Sequence, residues 1–158
     1  MSDHIRKEFL DRLEDSRVGM LSAGSARPVP MSHYVDEDDP KATLWFITAK
    51  QTDLSKAAAT PADGTFIVSS TDESLHARID GTLSQSHDKE QLDKIWSKVA
   101  EAWFEEGKQD DDIQLLRFDP TEAEVWLTGG GLKFIYEIAK ANLTDTKPDI
   151  GEHAVLRF

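Results

Sequence analysis

Apolar residues at Ile5, Phe9, Leu10 and Leu13 recur at helical intervals, which predicts an amphipathic helix over 3–16 with Ser2 or Asp3 as its N-cap. From Val18 the pattern shortens. The runs "RVGMLSA", "RPVPMSHYV", "ATLWFIT", "GTFIVSS" and "LHARIDGTLSQ", each bounded by turn residues, predict strands of a β meander or barrel up to Ser84. One interruption, "TDLSKAAATPADG", predicts a helix of about two turns capped by Asp53 and ended by Pro61 and Gly64. A stronger helix is expected at "DKEQLDKIWSKVAEAWF", where Leu92, Ile95, Trp96, Val99 and Trp103 form one stripe and Asp88 and Gln91 are spaced like a capping box. Two further strands, "DIQLLRF" and "AEVWLT", are joined by a turn at Asp119-Pro120. A last helix in "GGGLKFIYEIAKANL" and a polar tail over about 144–158 complete the chain.

Strands mostly adjacent in sequence favour antiparallel pairing, and the helices are too few to cover both faces of a parallel sheet. The expected class is mainly β (α+β): an antiparallel β-barrel with peripheral helices, in one domain over 1–158. Composition then narrows the partners. Thirty acidic residues against 18 basic ones give a net charge of −12, which repels nucleic acid and anionic lipid. No cysteine is present, so thiolate chemistry is excluded. The charged N-terminus and the absence of a long apolar run predict a cytoplasmic protein that does not enter a membrane.

Few residue groups carry recognisable chemistry. His4, His33, His76, His87 and His153 are scattered away from metal-ligand spacing and read as structural or solvated, and no metal site is expected. The acidic runs "DEDDP" and "QDDDI" lack the glycine and distal glutamate of a calcium loop. No G-x-S-x-G elbow surrounds a serine, and "TGGGLK" has neither phosphate-loop spacing nor a suitable βαβ unit. Trp96 and Trp103 fit a helix core face, whereas Trp45 and Trp126 lie on strands, where an indole either packs or stacks beside a planar ligand. In "LWFITAKQTD" an apolar strand ends in Thr48, Lys50 and Thr52 before a helix begins at Asp53. Hydroxyls, an ammonium and helix N–H groups meet there, as a phosphate monoester requires, but the pattern alone favours a plain strand–helix connection capped by Asp53.

Taken together, "VGMLSA", "PMSHYVD", "LWFIT", "IDGTL", "WSKVAEAWFEEG", "IQLLRFDPTEAEVW" and "GEHAVLRF" resemble, in order and spacing, the FMN-binding split-barrel family of pyridoxamine 5'-phosphate oxidase, in its bacterial general stress protein branch. The resemblance implies a split barrel that forms a homodimer, with FMN in clefts between subunits, FAD or another flavin being the alternatives. It implies that Val29, Pro30, Met31 and Ser32 line the flavin ring, that Ile47, Thr48, Lys50, Thr52 and Lys56 surround the ribityl phosphate, and that Trp126 either closes the partner's cleft or packs the dimer interface. Val29 and Leu54 stand where many relatives carry arginine and lysine. The implied activity is that of an oxidoreductase acting on a small-molecule redox substrate, with no catalytic side chain assigned. A non-catalytic flavin-binding or stress-interaction protein of the same fold is the alternative. Oxidation of pyridoxamine phosphate is disfavoured, because no second cluster of basic residues is visible in the sequence.

Overall fold

The computed structural model describes residues 2–36, 38–96, 104–129, 131–144 and 151–158. Helix α1 (Ser2–Asp15) precedes strands β1 (Gly19–Ala23), β2 (Ala26–Met31), β3 (Tyr34–Val35) and β4 (Leu44–Ala49). Helix α2 (Asp53–Ala57) leads to β5 (Ala62–Ser69) and β6 (Leu75–Ser86), and α3 (Lys89–Ile95) to the long strand β7 (Ile113–Leu127). Helix α4 (Gly131–Thr144) and strand β8 (Glu152–Arg157) end the fold. The strands make one eight-stranded sheet in the order β2-β1-β5-β6-β7-β4-β3, with β8 also on β7, and every pair is antiparallel.

Its edge strands, β2 and β3, are consecutive in the chain and separated only by Ser32 and His33. Even a fully extended link of this length spans only about 10 Å. The sheet must therefore curl until its two edges nearly meet, which gives a split barrel. Alternation supplies the filling: Leu21, Phe46, Phe66, Ile79, Leu83, Leu116 and Phe118 all point inward and are buried. Phe9 and Leu13 of α1 and Leu54 and Ala58 of α2 join the same core.

Four sequence expectations change. "RPVPMSHYV" is not one strand, because His33 turns into the core and separates β2 from β3. Asp119-Pro120 is not a turn: β7 runs through it. The pairing slips there, from Asp80 opposite Glu122 to Gly81 opposite Pro120, so the proline sits at a bulge, where a missing N–H is tolerated. Gly81 permits the bulge, since a Cβ on it would lie 2.4 Å from the Asp119 carbonyl oxygen. The bulge also divides β7: its first part pairs with β4 and its last part with β8. Third, α2 is only five residues long, and Gly64 lies buried in β5 rather than ending the helix. Fourth, the polar C-terminal segment finishes in β8. The expected residues Val99 and Trp103 of the long helix, Gly130 of the glycine turn and 145–150 of the tail lie outside the described residues; the helix that is described there, α3, ends at Ile95, buries no side chain completely, and leaves Trp96, expected on its core stripe, as an extended C-cap (φ −60°, ψ 134°).

Candidate functional site

Strand β4 carries Leu44 and Phe46 into the core and then, in the same phase, Thr48, which is 8% exposed at the end of the barrel. The chain turns at Lys50, whose N–H donates to the Asp112 carbonyl (2.9 Å), and enters α2. Either Thr52 or Asp53 has the chemistry of a cap, but Thr52 takes the role. Its backbone is extended (φ −73°, ψ 155°) and its Oγ1 accepts from the Ser55 N–H at 3.3 Å. Asp53, expected to cap, is instead the first helical residue.

The Thr52 hydroxyl also donates to the Ala49 carbonyl (2.9 Å), so the Thr48 hydroxyl, 3.1 Å away, donates to Thr52. A relay Thr48 to Thr52 to Ala49 thus ties the strand end to the cap. Beside it, Ser55 Oγ is buried at 1% exposure and has no hydrogen-bond partner. Behind it, Gln85 Nε2 donates to the Ser55 carbonyl (2.7 Å), and Gln114, opposite Thr48 on β7, donates to the Ser86 and Leu115 carbonyls. The barrel is closed at this end by a polar layer rather than by more hydrocarbon.

Helix α2 packs against β1 and β2, so the ring candidates adjoin the phosphate candidates. Val29, Pro30 and Ser32 are exposed, while Met31 is half-buried against the core. Lys50 and Lys56 are exposed and Ile47 is half-buried on the outer face of β4. Leu54 points into the core, so the departure from the family pattern there is filled by packing and leaves no charge. Trp126 is not brought to this end. It lies near the far end of β7, paired with His76 and His153, and its ring stacks on His153 (centroids 5.0 Å apart, 13° between planes). Trp45 is buried, with the Arg117 guanidinium 5.6 Å from its ring, so it offers no open face to a ligand.

Sequence reading did not single out Ser55, Gln85 or Gln114. The available signal was a polar residue in the inward phase of a strand, as with Gln114 among Leu116 and Phe118.

His33, beside the ring candidates, is a clasp. Its Nε2 donates to the Leu13 carbonyl (2.7 Å), its ring meets Phe66 edge-on (centroids 5.1 Å apart), and its Nδ1 is buried without a partner. Burial lowers its pKa, opposed by the bond to Leu13. The unfolded chain then takes up the proton first as pH falls. The stability due to neutral His33 is therefore complete above the ordinary value of about 6.5 and is lost as pH drops toward the lowered folded value. Urea midpoints measured from pH 8 to pH 5 should fall less for His33→Gln than for the parent chain; parallel curves would exclude His33 as the source.

Among the described residues no group of three or more His, Asp or Glu is arranged for a metal, and no helix is long and apolar enough to cross a membrane. Comparison with known proteins places the chain among relatives of common architecture. Residues 3–149 match the family model described as pyridoxamine 5'-phosphate oxidase like. A crystal structure named for general stress protein 26, from Jannaschia sp. CCS1, is 50% identical and covers 100% of both chains with a TM-score of 0.90. The general stress FMN/FAD binding protein of Xanthomonas citri is 28% identical over 79% of this chain and 89% of its own, with a TM-score of 0.72. General stress protein 26 of Bacillus subtilis (strain 168) is 25% identical over 128 residues, 79% of this chain and 90% of that protein.

Proposed function

The chain belongs to the pyridoxamine 5'-phosphate oxidase like family, and from that premise we propose that it is a homodimeric FMN-binding oxidoreductase. The observation that carries the proposal is Ser55 Oγ, a buried hydroxyl without a partner, set beside the Thr48–Thr52 relay and one short turn from the exposed ammonium of Lys50. A phosphate monoester is an acceptor that such a donor set lacks. The naming of the Xanthomonas citri relative as an FMN/FAD binding protein supports the same reading.

In this proposal Lys50 and Ser55 hold the phosphate, while the Thr48–Thr52 relay, whose protons are both engaged, fixes the start of α2 beside them. Lys56 adds charge from the last turn of α2, and Ile47 lies on the outer side of the same strand. Val29, Pro30, Met31 and Ser32 border the ring, largely through backbone groups. A bound flavin supplies hydride chemistry of its own, so the protein's part is binding, orientation and exclusion of water. No side chain is assigned as a general acid or base.

A second copy fits the outer face of the sheet. Met20, Ile67, Arg78, Glu124 and Val155 stand opposite one another in register across five strands. Ile67 and Val155 are each 48% exposed, and Trp126 lies one outward position away along β7. This strip, apolar at its ends and crossed at its centre by the Arg78–Glu124 ion pair (3.4 Å), is the place where Trp126 would meet a partner.

The test is direct. Protein purified without added cofactor, and again after incubation with FMN, is examined for a flavin spectrum and then mixed anaerobically with NADPH or NADH. Bleaching of bound flavin is the expected result. Flavin that binds but stays oxidised would assign a binding role without turnover, and failure to bind FMN would overturn the proposal.

A further inference from the structure

A cleft of about 400 Å³ opens between the end of α1, β3 and α3. Two side chains in its lining, His33 and Gln91, each carry a buried nitrogen, Nδ1 and Nε2, without a hydrogen-bond partner among the described residues. A buried polar group left unpaired costs free energy that a bound molecule can restore. The two nitrogens have opposite roles. His33 is only 6% exposed, its burial disfavours the charged ring, and Nε2 spends the single proton of the neutral ring on the Leu13 carbonyl. Nδ1 is therefore an acceptor. Gln91 Nε2 is a donor, on a residue whose backbone is held independently through its own N–H on the Asp88 carboxylate. A ligand that satisfies both must donate and accept.

Charge narrows the ligand further. Carboxylates of Glu14, Asp36 and Asp38 line the cleft against one ammonium, Lys94, which is already held by Asp36 at 2.9 Å and Asp38 at 3.4 Å. An anion meets net repulsion there, while an ammonium or guanidinium brings donors only and leaves Gln91 unpaired. An uncharged molecule remains. The volume is far more than one bridging water fills, and Val35 and Ile95 make part of the wall apolar. We propose that this cleft binds a small uncharged carboxamide, whose N–H donates to His33 Nδ1, whose carbonyl oxygen accepts from Gln91 Nε2, and whose apolar body lies against Val35 and Ile95. None of Val29, Pro30, Met31, Ser32, Lys50 or Ser55 lines the cleft, so the proposal does not depend on the flavin reading.

Calorimetric titration of the full-length protein with benzamide, at about pH 8 where His33 is neutral, tests it. Saturable binding of benzamide is the expected result. Benzoate has the same shape but carries the repelled charge, and N,N-dimethylbenzamide keeps the carbonyl but has no N–H for His33. Each should bind about tenfold more weakly than benzamide, or worse. Gln91→Met roughly keeps the side-chain volume and removes the donor, so it should weaken benzamide about tenfold at an unchanged thermal midpoint. If benzamide does not bind, ordered water alone satisfies the two nitrogens and the proposal is overturned. Equal affinity for the three ligands, or unchanged affinity in a folded Gln91→Met, would overturn it as well. Flavin binding is measured separately and bears on none of these outcomes.

Discussion

Phe66→Ala should lower the unfolding free energy by about 4 kcal/mol, read as a reduced urea midpoint at unchanged slope. Phe66 is wholly buried at the centre of an aromatic cluster, with Phe46 at 5.0 Å and His33 at 5.1 Å between ring centroids. Its ring also occupies the space left by Gly19, where a Cβ would come within 2.5 Å of the Phe66 ring. Truncation removes the aromatic contacts and leaves a void bordered by the rigid backbone of β1, which cannot collapse into it. The loss is a large part of the roughly 5–15 kcal/mol that stabilises a typical domain. It should also loosen the His33 clasp on α1, so His33→Gln added to Phe66→Ala should cost less than it does alone. A loss below about 1 kcal/mol would mean that the barrel interior repacks freely around this position.

Lys50→Ala should weaken FMN roughly ten- to a hundredfold and leave riboflavin nearly unchanged, because only FMN carries the phosphate. Lys50 is exposed and has no ion-pair partner among the described residues, so its removal leaves no buried charge behind and should not disturb the fold. Its backbone, fixed by the Asp112 carbonyl, keeps the turn in place whatever the side chain. In a chain of net charge −12, an ammonium at the mouth of a site also offsets the repulsion that an approaching dianion meets. The difference between FMN and riboflavin should therefore shrink as salt is raised. Equal losses for the two ligands would place the phosphate elsewhere.

The strands were legible for two reasons: the alternation in "GTFIVSS" is a direct record of inside and outside, and the unbroken apolar run in "ATLWFIT" marks a strand covered on both faces, with residues 42–46 all buried. Asp119-Pro120 misled for a local reason. The pair has turn chemistry, but its fate is decided across the sheet by Gly81, whose bare Cα lets the backbone of β7 pass close by. The candidate phosphate segment was legible as residue types and not as hydrogen bonds. Thr48 and Thr52 advertise hydroxyls, yet both protons are already used within the relay, and the spare donor is Ser55. The grouping of His33 with Gln91 could not be read at all, since no local pattern connects residues that only folding brings to one cleft.

The division of β7 between partners bears on how the protein is made. Among the described residues, strand β4 has only the two-residue β3 as its other neighbour, and β8 pairs with nothing but β7. Until residues 113–127 leave the ribosome, the nascent chain can form the β5–β6 hairpin and its pairing with β1, while Leu44, Phe46 and Leu83 still face water. Folding of the barrel must therefore wait until residues 113–127 have been made, and products terminated before them would emerge without a closed core, as ready substrates for chaperones and proteases.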